Sequence, residues 1–197
     1  MEEGSDVAEV GAPIEEAPVP SGRWRRRDVG RVLRRHEGGL VVTGATGTVV
    51  LPYATTQLFT SELPTTDDDP GDLRGRASWR FRWRGSSWGV QGEKRSSPLA
   101  AVCRAGVGAG TVVRLAIARQ RLAAGDTVDF ARLSATTHEL WVHGNPPMPW
   151  AEVQGVDRRP LEPVVLRTAS RGTFTLADSP VEIADLGVLV RLIAEGR

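Results

Sequence analysis

The sequence predicts an α+β protein made of two strand-rich units, each a bent antiparallel sheet closed by a C-terminal helix. Three observations point there. Short runs of alternating apolar and polar residues recur along the 197 residues. Between them, 22 Gly and 13 Pro cut the chain too finely for a helical bundle. Two Ser-Pro pairs, Ser97-Pro98 and Ser179-Pro180, each open a helical run late in its half.

Residues 1–21 hold six acids and no base and show no apolar periodicity, so they are expected to be a disordered acidic tail. Order is expected to begin near Trp24. Residues 29–35, 40–43 and 48–51 then read as strands, with Gly38-Gly39 and the stretch 44–47 as turns, because glycine accepts positive φ without a steric penalty. Residues 55–63 extend the sheet, and TTDDDPGD (65–72) is a polar loop. The clearest strand is 76–84. Its period of two sets Trp79, Phe81 and Trp83 toward a core and Arg80, Arg82 and Arg84 toward solvent.

The first helix starts at Ser97-Pro98, where serine can cap the free amides and proline has no N–H to lose, and it stops at Gly125. At Gly106, Gly108 and Gly110 it either breaks or packs tightly against a neighbour. Strands return at 128–133, 139–143, 150–156, 164–168 and 173–176. Ser179-Pro180-Val181-Glu182 forms a capping box for the last helix, whose apolar stripe is Leu186, Leu189, Val190 and Ile193. The expected division is a tail (1–21), a basic half (22–124) and a second half (125–197).

The halves resemble each other. LPYATTQLF (51–59) aligns with MPWAEVQGV (148–156), matching Pro52 with Pro149, Tyr53 with Trp150, Ala54 with Ala151 and Gln57 with Gln154. Strands closed by one C-terminal helix are the plan of pleckstrin-homology-like (PH-like) domains. With its Gly39–Val42 hairpin, its Gly125–Phe130 linker and its Pro149-Trp150 segment, the chain resembles a bacterial family with two such halves in tandem. The resemblance implies a fold and carries no assigned chemistry. Tyr53 stands where the family pattern has Trp.

Composition narrows the function classes. The single cysteine, Cys103, forms no internal disulfide and supplies no two-thiolate metal site, which suits a reducing, cytoplasmic compartment. The acidic first residues do not read as a secretory leader. The uncharged apolar run 105–113 is nine residues, against the roughly 20 of a membrane span. A net charge of +1 hides segments of −6 (1–21), +10 (22–123, with 18 bases and 8 acids) and −3 (124–197, with 7 bases and 10 acids). Such asymmetry concerns partners and steering.

No catalytic residue, cofactor-binding residue or metal ligand is nominated. His36, His138 and His143 have no metal spacing, and the last two are expected on opposite faces of one strand. Asp67-Asp68-Asp69 are adjacent and precede Pro70, unlike a calcium loop. The Gly106–Gly110 run lacks phosphate-loop spacing, and Cys103 reads as a small buried residue. Trp79, Trp83, Trp141 and Trp150 are expected in the core. What remains is a cationic contact surface: Arg25, Arg26 and Arg27 in RWRRR (23–27), and Arg80, Arg82 and Arg84. The expected function is a non-catalytic module that binds a protein partner. The alternative is peripheral contact with anionic lipid through the Arg face; nucleic acid is not the expected partner.

Overall fold

A computed structural model describes residues 7–20, 30–45, 47–61, 76–84, 86–130, 132–157, 163–177 and 183–196. Arg25, Arg26 and Arg27, the acids at 67–69 and the capping box at 179–182 lie outside the described residues. Among the described residues the architecture is α+β, with antiparallel sheets, one helix of 26 residues and one of nine. The chain divides into two compact units, residues 1–57 with 67–110, and residues 58–66 with 111–197.

In the first unit, β1 (Pro13–Pro18), β2 (Val32–His36), β3 (Gly39–Gly44) and β4 (Gly47–Pro52) form an antiparallel sheet in sequence order. β1 corrects the expectation of a disordered tail. Its strand hydrogen bonds run along β2, and Glu15 and Glu16 face Arg35 and Arg34 across the ladder. Acids that look like a solvated tail in sequence thus find opposite charges directly across a strand pair. Upstream, Val10 is buried against Val41 and Val50. Gly39 is required by close approach, since a Cβ there would lie 2.7 Å from both the Leu51 carbonyl oxygen and Val10 Cγ1.

β6 (Arg76–Trp83) and β7 (Ser86–Lys94) pair as a hairpin that buries Trp79 and Phe81, and Phe81 stacks on Trp88 with ring centroids 5.7 Å apart. Helix α1 (Pro98–Ala123) follows. The Ser97 hydroxyl accepts the Ala100 amide at 3.1 Å, which satisfies an orphan donor of the first turn. The glycines do not break the helix. Gly106 lets Leu40 approach so closely that a Cβ would sit 2.8 Å from its Cδ2, so the packing alternative holds there. At the C-terminus Gly125 takes φ +84° and the Asp126 amide reaches back to the Arg121 carbonyl. By length and composition α1 could cross a membrane. In this fold, however, it buries Leu99, Val102, Cys103, Leu115, Ala118 and Leu122 in protein.

In the second unit, β8 (Val128–Asp129), β9 (Leu133–Ala135), β10 (Glu139–Val142) and β11 (Met148–Pro149) make a second four-stranded antiparallel sheet. A single 3-10 turn (Trp150–Glu152) leads to β12 (Val153–Asp157), β13 (Val164–Thr168) and β14 (Thr173–Ala177), and then to α2 (Leu186–Ala194). One apolar cluster joins α1, both sheets and α2, with Phe130, Leu133, Leu140, Trp150, Leu166 and Leu189 near its centre. Helix α2 begins at Leu186, later than the expected 179–180. Its most buried residues are Leu186, Val188, Leu189 and Leu192, while Val190 and Ile193 flank them. The remaining strand, β5 (Gln57–Thr60), is tied to this helix start. The Leu58 amide donates to Asp185 Oδ1 at 3.1 Å, and the Asp185 amide donates to the Leu58 carbonyl at 2.8 Å.

Candidate interaction surfaces

The arginine row on β6 is partly as expected. Arg80 and Arg82 are exposed, and directly across the ladder stand Gly89 and Ser87, too small to cover them. Arg76 and Lys94 are cross-strand partners and add positive charge near the strand start. Arg84 leaves the row. The strand ends at Trp83, Arg84 turns to φ 45°, and its Cζ lies 4.5 Å above the half-buried Trp83 ring. A guanidinium over an indole is a cation–π pair, worth roughly 0.5–2 kcal/mol. Of the other arginines in the basic first segment, Arg34 pairs with Glu16 at 2.8 Å and Arg35 with Glu15. β1 therefore neutralises part of the charge that the sequence leaves open.

Burial isolates several polar groups in the first unit. Tyr53 is fully buried and its hydroxyl has no hydrogen-bond partner among the described residues. Burial pushes its pKa up to about 12; Arg35 opposes that shift and Glu15 adds to it. His36 is buried with Nδ1 2.8 Å from the Gly11 carbonyl, which ties the chain before β1 to the end of β2.

The second unit holds a surface that residue type alone does not reveal. Alternation along β10 sends Leu140 and Val142 inward, so Trp141 stands outside, 46% exposed. The expectation of a core Trp141 is corrected, whereas Trp79 and Trp150 are buried as expected. Across the ladder Trp141 faces Ser134, and Ser134 faces Asp129, so Asp129, Ser134 and Trp141 form one row over three strands. Glu139 lies two residues along β10 on the same face, and its Oε1 accepts the Trp141 indole N–H at 2.8 Å. This bond fixes the ring and leaves a flat aromatic surface beside a carboxylate.

The same face brings together Asp129, Ser134 and His143. The Ser134 hydroxyl donates to Asp129 Oδ1 at 2.7 Å, and His143 Nε2 lies 3.5 Å from Ser134 Oγ. A serine nucleophile needs the imidazole to take its proton and the carboxylate to orient the imidazole. Here the carboxylate accepts the hydrogen bond of the serine hydroxyl directly, so the order of roles is inverted. His138 is exposed beside β10, and Cys103 is buried in α1. Among the described residues no group of three or more His, Cys, Asp or Glu is placed to hold a metal ion.

Asp185 is the most constrained ionisable group. It adopts φ 51°, ψ 35°, a left-handed conformation costly for a residue with a Cβ. Its nearly buried carboxylate accepts Arg114 Nε at 2.7 Å as well as the Leu58 amide. Burial raises its pKa, while Arg114 and the Leu58 amide pull it down. A cavity of about 30 Å³ beside this pair is lined by Arg114, Ile117, Phe130, Asp185 and their neighbours; that is room for about one water molecule and too small for a substrate. The pair joins β5, α1 and the start of α2, which is a structural role.

No family model matches this chain, and no curated protein or solved structure matches it.

Proposed function

We propose that the chain is a non-catalytic interaction module of two PH-like halves that binds a protein partner through the outer face of the β8–β11 sheet. The observation that carries this reading is Trp141, a large rigid aromatic held in place by Glu139 and left open to solvent on a sheet face. Tryptophan is among the residues most enriched at binding hot spots, and a pre-fixed ring loses little entropy on docking. Two features support the PH-like part. Seven strands and then a helix occur twice in the chain. The matched segments also fall at equivalent places: Pro52 and Pro149 each end the fourth strand of a sheet, and buried Tyr53 and Trp150 each follow it. The working compartment in this reading is the cytoplasm.

The test is quantitative affinity capture with the full chain and with its Trp141→Ala variant. A partner retained by the first and lost by the second is the expected result. Identical recoveries from the two chains would remove this face from the account.

A second reading, peripheral contact with anionic membrane, rests on the exposed Arg80 and Arg82 opposite Ser87 and Gly89. Each basic residue near a charged bilayer contributes about 1 kcal/mol, lost at high salt. Flotation with phosphatidylserine vesicles should fall for the Arg80→Ala, Arg82→Ala double variant. Unchanged flotation would exclude the row.

A further inference from the structure

We propose that the Trp141 face is a receptor for an arginine side chain presented by an extended segment of the partner. The guanidinium would lie on the indole and be held by the carboxylates of Glu139 and Asp129. This rests on the protein-binding reading above and adds the chemistry of the contact.

Three observations converge. First, the indole is oriented: its N–H is committed to Glu139 Oε1, so a ligand must use the ring's face, whose negative quadrupole attracts cations. Second, two carboxylates share that face: Asp129 in cross-strand register with Ser134 and Trp141, and Glu139 two residues along β10 from Trp141. Among the described residues neither is in an ion pair, since the Glu139 carboxylate accepts only the indole and the Asp129 carboxylate the Ser134 hydroxyl. A carboxylate has about four lone-pair sites, so each retains acceptor capacity for a planar, multi-donor cation. Third, the chain makes this contact itself where Arg84 lies 4.5 Å above Trp83.

Charge complementarity decides the sign of the ligand. The segment 124–197 carries −3, and the carboxylates next to the exposed ring would repel phosphate or an acidic peptide. The planar fork of arginine can stack on the ring and reach an acid at its edge, whereas lysine offers a point charge that stacks poorly. Arg132 and His143 border the same face, and the backbone amide of His143 donates to the Arg132 carbonyl. They bound the acidic patch on that side, so the ligand chain is expected to leave toward Glu139 and Pro149, which are cross-strand partners.

The test titrates the full chain with a fluorescein-labelled peptide of alternating arginine and glycine at low ionic strength, read by anisotropy, with a lysine-glycine peptide alongside. Saturable binding is expected, tighter for arginine than for lysine. Trp141→Ala should weaken it by about three- to thirty-fold, from the typical range of cation–π contacts. Trp141→Phe should fall between, and Glu139→Gln should weaken it several-fold. Exposure of the ring makes these variants safe for folding, and unchanged thermal melting confirms it. Equal affinities of wild type and Trp141→Ala would overturn the proposal, as would preference for an acidic peptide. So would sedimentation showing that a second copy of the chain occupies the face and excludes the peptide. Loss of peptide binding specificity alongside a captured partner that still depends on Trp141 would sink the arginine assignment and leave the protein-binding reading standing.

Discussion

The two four-stranded sheets use charge in different ways. In the first, β1 is six residues long and lays Glu15 and Glu16 against Arg35 and Arg34, so the cations of β2 are answered from within the sheet. In the second, β8 is only two residues long, and among the described residues its Asp129 carboxylate accepts only a serine hydroxyl. The aromatics that follow the fourth strand differ too. The Trp150 indole donates to the Thr136 carbonyl at 2.9 Å, while the matched Tyr53 hydroxyl is buried without a partner among the described residues. Similar element order thus yields one sheet whose charges are met internally and one whose outer face keeps unspent carboxylates beside an exposed ring. The second is the better candidate for a contact.

The sharpest way to break this comparison is to set two tryptophans side by side. Trp79→Ala should cost about 3–5 kcal/mol of unfolding free energy, because it empties a fully buried site. Trp141→Ala should stay within about 0.5 kcal/mol, as expected of a surface substitution. Urea unfolding followed by far-ultraviolet circular dichroism reads both; comparable losses would mean that Trp141 is packed rather than presented. Next in size is Asp185→Ala, which removes a buried carboxylate from Arg114 and the acceptor of the Leu58 amide and should cost about 3 kcal/mol in the same assay. A cost under about 1 kcal/mol would deny the pair its structural role.

The matched aromatics come third. Trp150→Phe leaves the Thr136 carbonyl without its donor and should cost about 1–3 kcal/mol, whereas Tyr53→Phe removes a hydroxyl that bonds none of the described residues and should be neutral or stabilising. Tyr53 also gives a pH signature. Its folded pKa of about 12 lies above the ordinary 10, so the unfolded chain releases this proton first. Stability that is full below pH 10 should then fall as pH rises to about 12, and Tyr53→Phe should flatten that decline in a pH series of melts. The smallest effect belongs to Glu15→Gln, about 0.5–1 kcal/mol and reduced by salt, as for any partly exposed ion pair.

Much of the fold was legible where local chemistry is decisive. Ser97-Pro98 and Gly125 bracket α1 because caps act within one turn. Alternation along 76–83 gave β6 and its buried face, but the turn at Arg84 depends on the hairpin and on the Trp83 ring. β1 was not legible from its own residues: PIEEAP shows no apolar alternation, and its pairing is set by arginines about 20 positions away. The Trp141 surface could have been read. Leu140 and Val142 flank it at strand period, so one face must hold both leucine and valine and the other the tryptophan. Residue type argued for the core, and periodicity argued against it; periodicity wins because β10 pairs with β9 in unbroken register, so the pleat alternates without a bulge. Asp185 gave no signal, since neither its left-handed backbone nor its distant partner Arg114 leaves a trace in the neighbouring sequence.

The most direct test of the central claim is fluorine NMR on the chain labelled with 5-fluorotryptophan at its six tryptophans, titrated with the arginine-glycine peptide. One resonance, identified by its loss in Trp141→Phe, should shift progressively and saturate while the buried Trp79 and Trp150 signals stay fixed. A titration that moves a different resonance, or none of the six, would contradict the assignment of the β8–β11 face as the binding surface.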